Sequence, residues 1–147
     1  MLRSVLGVIV AFILFVILQV ASFMTMYGLM GADWSFKPGS FQPSTRWTAM
    51  QFVIIIVTSI IAGLICAAVA KGGKAPLALA AVVLVVGLGA AVLKTALRPD
   101  THEVRIGSVS QQDARDKARP PMWVVFLGPF VGAVAVVIGG KLRRSAP

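Results

Sequence analysis

Four stretches of this chain run for the thickness of a bilayer without one Lys, Arg, Asp or Glu: Ser4–Ala32, Trp47–Ala70, Ala75–Leu93 and Pro120–Gly140. A hydrocarbon core of about 30 Å is crossed by roughly 20 helical residues at about 1.5 Å each. A surface helix of a soluble domain keeps a charged face for water, and these runs have none. In lipid every backbone polar group must be satisfied internally, which leaves helices or a closed barrel. Barrel strands alternate apolar and polar residues. Val8-Ile9-Val10-Ala11-Phe12-Ile13-Leu14-Phe15 and Ala80-Ala81-Val82-Val83-Leu84-Val85-Val86 do not alternate.

The expected fold is therefore all-α. It is an integral membrane four-helix bundle with antiparallel up-down connections, spanning at about 4–32, 47–70, 75–94 and 120–141. The whole chain, 1–147, is one transmembrane domain with outward loops at 33–46 and 95–119. The first run has Arg3 ahead of a long apolar stretch and no clean small-x-small cleavage site after it, so it reads as an uncleaved anchor rather than a signal peptide. At 29 residues it would be about 43 Å long. It must tilt, or push Thr25 to Met30 into the headgroups. Lys71–Lys74 is short enough to make spans two and three a hairpin, with Pro76 suited to the first turn of span three. The segment 95–119 is the only sizeable hydrophilic stretch. Within it Ser110-Gln111-Gln112-Asp113 resembles a capping box opening a short helix to Ala118, and His102–Ile106 suggests an extended piece.

An even number of spans puts both termini on one side. That edge carries Arg3, Lys71, Lys74, Lys141, Arg143 and Arg144 and no acid. The other carries Lys37, Arg46, Lys94, Arg98, Arg105, Arg115, Lys117 and Arg119, diluted by five acids over two longer loops. Raw counts of Lys and Arg do not decide orientation. Their density close to the span ends favours both termini in the cytoplasm. A net charge of +9 then points to anionic headgroups on the cytoplasmic side, not to nucleic acid. Tyr27, Trp34, Trp47 and Trp123 all fall at the opposite edge, as interface anchors do. A sharper alternative makes Trp34, Phe36, Phe41 and Trp47 an outward docking surface.

No span holds an ionisable residue in its interior; Lys94 sits at an edge, where its stem lets the ammonium reach water. The small multidrug-resistance transporters are similar in size, but that family relies on a carboxylate in its first span, where this chain has Val, Ile, Phe and Leu. Bis-histidine haem binding needs paired intramembrane His, and only His102 exists; thiol oxidation needs Cys pairs, and Cys66 is alone. No cofactor, metal site or catalytic group is expected. The neutral polar residues Gln19, Ser22 and Thr58 are candidates for hydrogen bonds between helices or for a polar path. Gln19 matters most, because an unpaired amide in lipid is expensive. Small residues recur at four-residue steps in Ser59, Gly63 and Ala67, in Gly87 and Ala91, and in Gly128 and Gly132. Such rows allow helix backbones to approach where lipid offers no hydrophobic drive. They serve packing inside the bundle or an interface with another protein. Pro129 is expected to bend span four.

A Met-Leu-Arg start, a Trp-Ser-Phe-Lys-Pro-Gly-Ser loop, an Ala-Pro-Leu-Ala-Leu-Ala third span and a Pro-Pro-Met-Trp approach to a Gly-Pro-containing fourth span carry one resemblance. The chain resembles the uncharacterised small four-span inner-membrane proteins of bacteria. The resemblance implies topology only and no activity; the expected location is the bacterial inner membrane. The functional expectation is a non-enzymatic membrane protein, an accessory or assembly subunit packing against a larger complex or against itself. The alternative is a small oligomeric channel or transporter for a neutral or small solute. A lipid- or quinone-directed enzyme would need two or more of Asp100, His102, Glu103 and Asp113 to converge.

Overall fold

The computed structural model describes residues 2–71, 74–97, 104–107 and 109–145, the side chains of 115, 144 and 145 excepted. It contains α1 (Leu2–Ser35), α2 (Thr45–Ala70), α3 (Ala75–Ala96), α4 (Gln111–Lys117) and α5 (Met122–Ser145). All but α4 are long and apolar enough to cross a membrane. The protein is an all-α, four-helix membrane bundle with its hydrophilic segment between α3 and α5.

The helix boundaries follow from local chemistry. Ser44 caps α2: its Oγ accepts from Trp47 N at 3.1 Å and donates to Trp34 O at 2.6 Å. That bond ties the start of α2 to the end of α1, so α2 begins at Thr45, two residues before the charge-free run. Lys71 closes α2 in the left-handed conformation (φ 50°), its N–H turned back to Ala67 and Ala68. Pro76 occupies the first turn of α3, where its missing N–H costs no hydrogen bond. Ser110 caps α4 through Asp113 N at 3.2 Å. At Gly31 (φ 75°, ψ 178°) α1 breaks, and one further turn runs to Ser35. Ser35 Oγ donates to Gly31 O at 2.8 Å across the break. The helical path of α5 continues through Pro129. Of the suggested extended piece, 102 and 103 lie outside the described residues, and Val104–Ile106 is not a strand.

Around the bundle the order is α1, α2, α5, α3, with α1 meeting α3 to close the ring. The hairpin of α2 and α3 forms, yet α2 packs most extensively on α5. These two run in the same direction: Gly132 faces Ile55 and Ser59, and Gly63 faces Val136 and Gly140. The antiparallel connections therefore carry a parallel pair at their centre. The core gathers Ala11, Ala62, Cys66, Ala75, Leu79, Ala80, Val83 and Val136, flanked by Val8, Phe12 and Phe15 of α1.

Candidate functional site

The chemistry-bearing residues form three groups: a seam of small residues, a few neutral polar side chains within the spans, and a folded cap at one end. The seam is the tightest. A Cβ built on Gly63 would overlap Val136 O and come within 3.0 Å of Gly140 N. A Cβ on Gly139 would overlap Ile60 O and stand 2.9 Å from Ile60 C. The two glycines thus accept each other's helix as bare backbone, the geometry in which Cα–H···O contacts form between helices. Gly87 admits the Pro129 ring, which a Cβ would meet at 2.8 Å, and Gly140 admits Pro76. Gly132 stands at ordinary distance from Ser59 Oγ (3.4 Å), Ile55 and Val83, and Gly128 from Ile55 (3.6 Å). Ser59, Gly63, Ala67, Ala91, Gly128 and Gly132 are all buried. These rows face helices of this same chain. Gly139 and Gly7, which meets Cys66 O and Ala70 at 3.2 Å, stand outside the rows read from the sequence, although Ala135 and Ala11 lie four residues from them and that spacing could have found them.

The neutral polar groups behave differently from one another. Thr58 is buried, and its Oγ1 donates to Ile54 O at 2.7 Å within its own helix. Ser59 Oγ and Gln19 Oε1 are buried without a partner. Register places Gln19: Gly7 lies against Ala70, while Phe23 and Tyr27 pack on Trp47 with ring centroids 6.1 and 6.3 Å apart. Gln19 is therefore one turn, about 6 Å, inside the aromatic layer. Ser22 is half-buried on α1.

At the other end the two loops fold into one cap. Loop one closes on itself through a Phe36–Pro43 bridge and a turn from Lys37 to Ser40. The later segment is laid over it: Arg105 N donates to Gly39 O at 3.2 Å and Arg119 N to Phe41 O at 2.9 Å. Tyr27 Oη donates to Val109 O at 2.9 Å, and Gln111 Nε2 to Met24 O at 3.3 Å, so α4 straps the last turns of α1. The absent side chain of Gly28 leaves room for that amide, which a Cβ would meet at 3.2 Å. The last turns of α1 are thus lined by the later segment of the chain.

Arg105 is the least anticipated member. Its side chain is 7% exposed, its Nη2 meets Asp33 Oδ1 at 2.7 Å and its Nη1 meets Gly107 O at 3.1 Å, while Nε is buried without a partner. The pair joins positions 72 residues apart, which no local spacing announces. The aromatic residues concentrate beneath it. Trp34 packs edge-on to Trp47, Tyr27 on Phe36, and Phe36 on Phe41, over which Lys117 Nζ stands 5.7 Å from the ring centre. Phe36 and Phe41 are 5% and 6% exposed. They are turned inward because the second loop covers them, which removes them from the docking surface considered for these rings. Trp123, by contrast, is exposed and stacks on Phe52 at 6.2 Å.

No protein-family model, curated protein or solved structure matches this chain. Among the described residues, no three or more His, Cys, Asp or Glu side chains converge. Asp100, His102 and Glu103 lie outside those residues.

Proposed function

We propose that this is a non-enzymatic integral membrane protein of the bacterial inner membrane, both termini cytoplasmic, acting as an accessory or assembly subunit beside a larger membrane complex. The observation that carries the reading is the uneven covering of the helices. In its most apolar stretch α1 is 11% buried, against 39% for α2. Leu6, Ile9, Ile13 and Ile17 form one exposed stripe along α1, at helical spacing. The small-residue rows are used within the chain, so what α1 offers a neighbour is this ridge of large side chains. A photoreactive residue at Ile13, in membranes of the native host, tests it. Crosslinking to a polypeptide of defined mass, with co-extraction in gentle detergent, is the expected result. Lipid adducts alone and a lone monodisperse monomer contradict it.

The second reading, a small oligomeric channel or transporter for a neutral solute, is favoured by one observation: the unpartnered Gln19 Oε1 and Ser59 Oγ. Buried oxygens of this kind are satisfied by water or by a passing polar solute. It requires that Gln19→Leu abolish solute flux in reconstituted vesicles. Unchanged flux removes it.

A further inference from the structure

The same close packing that locks the bundle also gathers positive charge at one of its ends. Gly7 brings the first turns of α1 onto Ala70. Arg3 lies one turn before Gly7 on the same face of the helix, and Lys71 follows Ala70 directly. Gly140 seats Pro76 of α3; Lys74 lies just before that proline, and Lys141 and Arg143 just after that glycine. Arg3, Lys71, Lys74, Lys141 and Arg143 are exposed. Among the described residues the acids are Asp33, in the last turn of α1, and Asp113 and Asp116 of α4, all at the opposite end. Like charges brought together repel, and an anion placed among them lowers that cost. The flanks just inside the charges are exposed apolar side chains: Leu2, Val5 and Leu6 on α1, Leu77 on α3, Ile138 and Leu142 on α5.

We propose that this edge binds anionic phospholipid, its phosphate held among Arg3, Lys71, Lys74, Lys141 and Arg143 and its acyl chains laid along the adjacent apolar flanks. A lipid fits better than a free anion because the charged ring is continuous with those flanks. The proposal goes beyond the accessory role and stands whether or not a partner subunit exists.

Electron spin resonance of the full chain in bilayers tests it, with spin-labelled phosphatidylglycerol and phosphatidylcholine compared as probes. The motionally restricted fraction should favour phosphatidylglycerol by about fivefold, the effect of one juxtamembrane cation on one anionic headgroup. In an Arg3→Gln/Lys71→Gln/Lys74→Gln/Lys141→Gln/Arg143→Gln variant the preference should fall to near parity. A Lys37→Gln/Arg46→Gln variant, altered at the opposite edge, should keep it. Parity in the unaltered protein, or equal loss in both variants, overturns the proposal. So does displacement of the labelled lipid by millimolar inorganic phosphate, which would identify a free-anion site. If that variant does not fold, the unaltered protein in high salt decides. Screening should then erase the preference, and a salt-insensitive preference refutes the assignment.

Discussion

At Gly63 and Gly139 a hydrogen replaces the side chain because the next atom is a carbonyl oxygen of the facing helix. A backbone oxygen cannot rotate away, so a methyl group at either position must part α2 from α5. Gly63→Ala and Gly139→Ala are each expected to cost about 1–3 kcal/mol, the usual penalty of overpacking. Gly128→Ala, whose new methyl meets only the flexible tip of Ile55 at 3.6 Å, should cost less than about 1 kcal/mol on the same grounds. Reversible unfolding in mixed micelles compares the three, and equal losses would remove the seam. Small-residue spacing identified Gly63 from the sequence. It left out Gly139, although Ala135 stands four residues before it, because two such rows run side by side on α5 and only the actual rotation of the helix shows which one meets Ile60. Gln19 was legible as a costly amide, but its depth was not. Depth depends on the register of α1 against Trp47, which no run length contains.

Among the elements, α4 is the clearest case of a local signal with a distant consequence. Its Ser110 cap is written in four consecutive residues, and the helix forms where they predict. What the helix is for depends on Tyr27 and Gly28, more than 80 residues earlier in the chain for the Tyr27–Val109 bond. Removing the strap with Tyr27→Phe and Gln111→Ala should speed amide exchange across 104–118 and leave the protected amides of α2 and α5 unchanged. Exchange that rises equally everywhere would show that the cap is not a separate unit. Arg105→Met keeps the bulk of the side chain and removes its charge. It should detach loop one from the later segment and raise the exposure of Phe36 and Phe41, seen as faster exchange at the amides of position 105 and Arg119, which donate to Gly39 O and Phe41 O. The expected size is a few kcal/mol at most, since Asp33 at 94% exposed loses little by returning to water. Neither effect could be read from the sequence, because ion pairs across loops obey no period.

For the whole molecule, run length and the absence of charge were enough to establish four spans, since lipid admits so few backbone solutions. They were not enough to order the spans around the bundle. A short α2–α3 hairpin suggests that those two helices are principal partners. Glycine placement instead makes α2 and α5, which run the same way, the central pair, and α3 packs on α5 through Gly87 and Pro129. Everything proposed for this protein, from the exposed α1 ridge to the basic edge, requires the cap and the basic edge to lie on opposite sides of a bilayer. Replacing Cys66 by Ala and introducing Lys37→Cys or Lys71→Cys, one at a time, permits labelling of sealed vesicles with a membrane-impermeant maleimide. The account predicts that one of the two positions is labelled from outside and the other only after the membrane is opened; labelling of both from the same side would contradict it.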